Sequence, residues 1–350
     1  LQQSLVDTTI RMVSTIFIKT TTTVFTLVLV LTQAFTIPKT SAINHIHKNT
    51  DNQPTTATTD TCLNSNAIND ETTEDSMKRT MSRLAKTRTV PKDKLYVSEP
   101  DPSWFGNGPN TPNDPAWTNA NWLKSRFHFS FAEYNSRHNT NFGVLRVMND
   151  DLVQPHRGFG THPHRDMEII TYIVHGELEH KDSMGNGESL GRGSIQFMTA
   201  GTGVRHSEFN HGDKPLRFIQ TWIVPRKNGL APNYGSYNAG LDDDSKKNKL
   251  MYLASDFAND SVDTPVKVNQ EVNTKAAELE LGESLKVDLP KDRMAYLLCV
   301  EGTLEVNGQT LTKYDGMEIH GDDEGLEIKS TGVEDTENGQ VSHFLMFDMP

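Results

Sequence analysis

The chain has 350 residues, with 34 Lys and Arg against 46 Asp and Glu, for a formal charge of −12. That length allows two domains and a tail, and the acidic balance argues against sequence-independent binding to nucleic acid, which relies on Lys and Arg to neutralise phosphates. The two cysteines, Cys62 in a polar stretch and Cys299 inside "AYLLCV", do not make a disulfide framework, and Cys299 reads as an ordinary buried thiol.

In chain order, Leu1 comes first and Met12 is the expected true start. From Met12 the segment "MVSTIFIKTTTTVFTLVLVLTQAFTIP" has Lys19 early, an apolar stretch from Val24 to Leu31 and polar, small residues after it. This is the layout of a secretory signal, and the apolar run is too short for a stable membrane span. Residues 1–37 are therefore read as a targeting segment. "QAFTIP", with Phe35 after Ala34, resembles a signal-to-transit junction of complex plastids. The secretory route or such a plastid is the expected destination, and cytoplasm or nucleus if the extension has no targeting role. Residues 38–95 are rich in Thr, Asn and Ser with few aliphatics, so they are expected to be a disordered linker that buries too little surface to offset ordering entropy.

The first folded domain is expected over 96–235. Trp104, Phe105, Trp117 and Trp122 lie among Pro, Asn and Gly, placed to cover a sheet or anchor a loop. "FHFSFAEY" alternates apolar and polar residues at period two, the pattern of a half-buried strand. The segments "FGVLRVMND", "EIITYIVHGELEHKDS", "SIQFMTAG" and "RFIQTWIVP" follow as further strands, separated by glycine turns such as Met184-Gly185-Asn186-Gly187. No amphipathic helix of ordinary length interrupts them, so an all-β antiparallel barrel or sandwich is favoured. After the polar connection "NYGSYNAGLDDDSKKNKL", a second strand-rich block fills the rest of a domain over 236–350. Its "VEGTLEVNGQTLTKYDGMEI" shares a layout with "VHGELEHKDSMGNGESLGRGSIQFM", which suggests duplication of one barrel. Nothing resembling an exposed heptad points to a dimer, so a monomer is expected.

Within "FGTHPHRDMEIITYIVHGELEHKDSMGN", His162 and His164 are two residues apart, and on an extended chain both side chains point to one face. His206 and Glu208 repeat the spacing about forty residues later, far enough for strands to cross a barrel and return. A His-x-His pair alone is commonly exposed or hydrogen-bonded, but four such donors on two strands are expected to form a metal site. Imidazole and carboxylate without thiolate suit iron, manganese, nickel, cobalt or copper and discriminate poorly among them. Two open positions on an octahedral ion would suit catalysis. Glu168, four residues beyond His164, is on the same face if the strand is regular, as a ligand or as support for one; His156, His175, His180 and His211 read as surface or turn residues. Arg165 and Asp166 flank the site, to orient ligands or to pair with each other.

The stretches "NWLKSRFHFSFAEY", "FGVLRVMNDD", "GFGTHPHRDMEIITYIVHGELEHKDSMGN", "MTAGTGVRHSEFN" and "QTWIVPRKNGLAPNY" closely resemble pirins, bicupin proteins, and above all their bacterial-type quercetinase branch. The resemblance covers roughly residues 120 to 350 and is looser in the second half. It implies two tandem cupin barrels of jelly-roll type. It also implies one divalent metal, Fe2+ by preference, in the first barrel, held at the positions of His162, His164, His206 and Glu208. In that pattern Glu168 supports the ligands from behind. The second cupin, with His320 and His343 standing alone, would be metal-free and structural. The implied activity is opening of a flavonol such as quercetin by O2, with Glu208 as the general base; Phe129, Phe159 and Met198 read as wall residues of the pocket or as plain core. Two other functions fit the resemblance: an iron-dependent, redox-sensitive co-regulator that binds transcription factors, and a metal-binding cupin acting on another small molecule. An N-terminal signal speaks against a nuclear role.

Overall fold

The computed structural model describes residues 86–108, 122–240, 244–322, 324–334, 336 and 340–350. The targeting segment, Cys62 and Trp117 lie outside the described residues. Among the described residues no helix is long and apolar enough to cross a membrane.

The described chain is nearly all strand, arranged as two tandem cupin barrels, each a seven-stranded sheet facing a four-stranded one. In the first barrel the large sheet runs, in spatial order, Asn233–Tyr237, Ile195–Thr199, Glu168–His175, Leu216–Ile223, Leu145–Val153, Leu123–Phe127 and Tyr96–Ser98. Its small sheet runs Arg157–His164, Val204–Asn210, Leu178–Asp182 and Gly187–Leu190. Period-two alternation marks the outer strands: Leu123, Ser125 and Phe127 point inward and are buried, while Lys124 and Arg126 are partly exposed. Glu168–His175 is buried along almost its whole length, because one face lines the first barrel and the other packs on the second. The expected glycine turn closes the hairpin between Leu178–Asp182 and Gly187–Leu190, with Gly185 at φ 94°.

The second barrel has the large sheet Thr87–Val90, Gly316–His320, Met294–Glu301, Val341–Met349, Asn273–Glu280, Met251–Asp256 and Val266–Val268. Its interior is filled by aliphatic and aromatic side chains including Leu279, Leu297, Leu304, Phe344 and Met346. Cys299 is buried there as a free thiol. The two large sheets pack together through a shared cluster in which Phe129, Met148, Ile170 and Tyr172 meet Tyr296, Leu298, Val300 and Phe347. Polar links cross the same seam. Tyr172 Oη lies 3.0 Å from His343 Nε2, His128 Nδ1 lies 2.7 Å from Tyr296 Oη, and Arg192 donates to Glu301 at 2.7 Å and Glu278 at 3.0 Å. Arg217 forks onto both oxygens of Asp150, at 2.9 and 2.7 Å, and donates to the Val300 carbonyl at 2.8 Å.

One expectation is corrected here. The linker was expected to extend to residue 95, but Thr87–Val90 is a strand on the edge of the second barrel, paired with Gly316–His320, and Lys92–Lys94 forms a short 3-10 helix. The segment "TRTV" is β-branched at three of four positions, and Arg88 makes an ion pair with Glu318 across the ladder. Four residues of strand are invisible in an average over a long polar stretch.

Candidate metal centre

The three histidines come together on two neighbouring strands. His162 and His206 face each other directly in the register between Arg157–His164 and Val204–Asn210, and His164 stands two residues along on the same face. Their ring centroids are 4.6 to 4.8 Å apart, and one ring nitrogen from each lies within 4.8 Å of the other two. Nε2 of His162 and Nε2 of His206 are 3.1 Å apart. The His162 Nδ1–H donates to the Gly160 carbonyl at 2.8 Å, which puts the proton on Nδ1 and leaves Nε2 with its lone pair toward the centre. Burial, then the neighbouring His206 and His162, push the His164 imidazolium down to about 3. Burial, then His162 and His180, push His206 down to about 2. Neutral imidazoles crowded in this way present lone pairs, the state a divalent ion requires. Nδ1 of His206 is buried with no hydrogen-bond partner among the described residues.

Glu208 sits beside this trio. Its carboxylate oxygens accept from Gln196 Nε2 at 3.0 Å, Thr171 Oγ1 at 3.3 Å and Gln220 Nε2 at 2.8 Å. It shares donor-atom proximity with His206 and His180, not with all three clustered histidines at once. A bulge between His206 and Glu208 in the ladder to Arg157–His164 accompanies this offset. Gly158 makes the close strand contact possible: a Cβ there would lie 2.4 Å from the Glu208 carbonyl oxygen and 2.6 Å from Phe209 Cα.

The three donors to Glu208 belong to a feature of the large sheet. Gln196, Thr171, Gln220 and Asn149 are cross-strand partners in one row over four strands, and Asp151 with its partner Ser125 continues it diagonally. This polar belt separates two apolar clusters inside the first barrel. On one side are Leu123, Val153, Ile173 and Phe218; on the other are Ile169, Met198 and Val204, with Trp222 and Tyr234 packed against them.

A cavity of about 300 Å³ opens between the belt and the histidines. His162, His164, Glu208, Gln220, Asn149 and Asp151 supply its polar wall, and Phe105, Phe127, Phe131, Phe159 and Trp222 its aromatic wall. Trp222 meets His164 edge-on at 4.8 Å, and Phe105, from the short 3-10 helix Pro102–Phe105, meets His162 edge-on at 5.8 Å.

Several sequence expectations are corrected. Glu168 is fully buried, but its carboxylate accepts from Thr199 at 2.9 Å and from the backbone and side chain of Asn269 at 3.1 and 3.3 Å, so it ties the first barrel to the second instead of backing the histidines. The parity count from His164 fails because the strand ends at His164. The chain then turns through Asp166 at φ 52°, and a new strand begins at Glu168 with Thr171, not Glu168, facing the site. Burial raises the Glu168 carboxyl above its ordinary value. Arg165 and Asp166 pair with each other at 3.2 Å. His180, expected at the surface, is wholly buried opposite Glu208, and its ring stacks on Tyr234 at 4.4 Å. His156 and His211 are exposed and pair with Asp213 and Glu179. Phe159 lines the cavity, whereas Phe129 packs on Tyr296 at the seam between barrels and Met198 packs in the cluster with Ile169 and Val204. Sequence reasoning missed Gln196, Gln220, Asn149 and Asp151. For Gln196 and Gln220 the signal was a single polar residue at an inward position, as in "RFIQTWI", and for Asn149 and Asp151 it was the polar run inside "VMNDDLV".

A bicupin whose first barrel holds a histidine-lined cavity is the class of protein defined by this fold and site. Residues 111–223 match the family model described as Pirin, and residues 253–349 match the Quercetinase C-terminal cupin domain. A Pirin-like protein of Caulobacter vibrioides is 43% identical over 216 residues, covering 62% of this chain and 90% of that protein. The Quercetin 2,3-dioxygenase of Escherichia coli is 36% identical over 239 residues, covering 68% of this chain and 96% of that protein. The crystal structure of YhhW from Escherichia coli superposes with a TM-score of 0.61 at 31% identity, covering 75% of this chain and 97% of YhhW. The complex of YhhW with nickel(II) superposes with a TM-score of 0.59 at 30% identity, covering 75% of this chain and 99% of YhhW. The chain belongs to the pirin family.

Proposed function

We propose that this protein is a metal-dependent dioxygenase that opens the ring of a flavonol such as quercetin with O2. The observation that carries this reading is three imidazoles converging on one wall of an aromatic cavity of about 300 Å³. The names of the Escherichia coli relative and of the C-terminal family model support it. His162, His164 and His206, with Glu208 as the fourth donor, hold one divalent ion. Iron is the expected metal, and the nickel(II) complex of YhhW keeps nickel among the candidates. When bound, the ion supplies positive charge that favours the anionic form of the substrate's 3-hydroxyl and a redox-active centre for chemistry with O2.

The chain's own residues do the rest. Glu208 takes the 3-hydroxyl proton as general base, aimed by Gln196, Thr171 and Gln220, whose hydrogen bonds restrict its carboxylate. Phe105, Phe159 and Trp222 stack against the planar substrate and keep water from the reacting ring. The test is reconstitution without O2, using one equivalent of Fe2+ per chain, followed by flavonol and air. The expected outcome is O2 uptake matched to bleaching of the flavonol absorbance. His162→Ala with His164→Ala should abolish both and lower bound metal by at least about tenfold, the scale seen even on losing a group that only orients a ligand. A metal-loaded protein that leaves every flavonol intact refutes the reading.

A further inference from the structure

Gln220 and Trp222 stand two residues apart on the strand Leu216–Ile223, so their side chains share one face, and both line the cavity. The indole Nε1–H of Trp222 donates to Gln220 Oε1 at 3.2 Å. An indole nitrogen can only donate, so this bond fixes which end of the Gln220 amide is oxygen. The opposite end is then the NH2 group, and it donates to Glu208 Oε2 at 2.8 Å. The other carboxylate oxygen, Oε1, accepts twice, from Gln196 Nε2 at 3.0 Å and from Thr171 Oγ1 at 3.3 Å. Gln196 and Thr171 are buried and lie outside the cavity lining. Each oxygen of an ionised carboxylate has two lone-pair positions, so Oε1 is filled from the wall, whereas Oε2 keeps one position on the side of Gln220 and the cavity.

We propose that Trp222 is a positioning residue: acting through Gln220, it presents Oε2 of Glu208, and not Oε1, to the centre formed with the histidines. The two oxygens of one carboxylate thereby have separate tasks. Oε1 anchors Glu208 to the large sheet, and Oε2 is the atom that binds an ion or takes a proton. Without the indole N–H, the Gln220 amide is free to rotate. It then loses its bond to Oε2 or turns its own oxygen toward it, an acceptor facing an acceptor. Trp222 also meets His164 edge-on at 4.8 Å, so packing and orientation have to be told apart. Phenylalanine does this, because it keeps an aromatic ring at that position and deletes only the donor.

The inference rests on the metal centre proposed above, and its test separates the two. Ni2+ affinity is measured by chelator competition for the wild type, Trp222→Phe, Gln220→Leu and the double variant, each first checked by a thermal melt without metal. Trp222→Phe should weaken Ni2+ binding about fivefold, the loss expected when one neutral hydrogen bond disappears. Gln220→Leu should weaken it by about tenfold or more, as on removing a group that orients a ligand. The double variant should lie within about twofold of Gln220→Leu, because Trp222 then has nothing to act through. If Gln220→Leu does not fold, Gln220→Met takes its place in the cycle. With Fe2+ and quercetin in air, Trp222→Phe should lower kcat by about fivefold with KM within about twofold of wild type. Effects on Ni2+ binding that multiply in the double variant overturn the proposal alone, as does a Trp222→Phe protein that binds Ni2+ like the wild type or changes only KM. A wild type that binds no Ni2+ refutes the metal centre and the proposal with it. Coupled Ni2+ affinities without turnover of any flavonol keep the proposal and refute only the dioxygenase reading.

Discussion

Arg217→Met tests how the cavity wall is held. Asp150 is fully buried, and Arg217, almost as buried, meets both its oxygens while also donating to the Val300 carbonyl of the other barrel. Asp150 lies between Asn149 and Asp151 with its side chain on the opposite face, so the ion pair anchors the strand that carries both cavity residues. Removing one partner of a buried pair leaves an uncompensated charge and costs about 3–5 kcal/mol. With a urea m value of about 3 kcal/mol/M for a protein of this size, the unfolding midpoint should fall by more than about 1 M. Replacing both partners, Arg217→Met with Asp150→Leu, removes the orphaned charge and leaves mainly the unpaired Val300 carbonyl, so the double variant should recover to within about 1–3 kcal/mol of wild type. Urea unfolding followed by tryptophan fluorescence measures all three proteins. A midpoint for Arg217→Met within about 0.3 M of wild type, equivalent to less than about 1 kcal/mol, would show that the pair is not the clasp described.

Other outcomes follow from the same geometry. His128 is fully buried beside Tyr296, and burial lowers its pKa from 6.5 to about 4. The unfolded chain takes up this proton more readily, so the stability His128 contributes is present above pH 6.5 and is lost as pH falls toward 4, by up to about 3 kcal/mol. His128→Gln should flatten that part of the stability profile, measured by urea midpoints from pH 7 to 4.5. Gly158→Ala forces the histidine strand away from the Glu208 backbone and should cost about 1–3 kcal/mol in a thermal melt, together with most of the metal content. Glu168→Gln keeps acceptors for Thr199 and Asn269, so metal content should stay at the wild-type level and stability within about 1 kcal/mol, whereas a ligand role would empty the site. Saturating the protein with metal at about 100 times its Kd should stabilise it by about 2.7 kcal/mol, and a chelator should reverse the shift.

Legibility in the sequence followed the range of the physics. Period two is a local property of an extended chain, so the shared face of His162 and His164 could be read directly, as could the succession of strands. The same count failed for Glu168 because Asp166, at φ 52°, ends one strand and resets the parity of the next. His180 was passed over because its partners are set by pairing between Leu178–Asp182 and Val204–Asn210, a relation that no local spacing encodes. The polar belt is legible only in retrospect. Gln196, Thr171, Gln220 and Asn149 lie on four different strands, and only the sheet register aligns them. The strand Thr87–Val90 was hidden for another reason: composition averaged over a long segment cannot resolve four residues whose partner lies far along the chain.

That distant partner bears on how the protein is made. Arg88 meets Glu318, 230 positions later, and the central strand of the same sheet, Val341–Met349, follows later still. At about 5–20 residues per second, the ribosome leaves Thr87–Val90 without its neighbour for roughly ten to fifty seconds. The first barrel receives its last strand, Asn233–Tyr237, within this interval, but the face it offers to the second barrel then stays uncovered. An N-terminal tag or a cleavage site placed close to residue 87 therefore acts on a strand that finds its partner only once Gly316–His320 has been made.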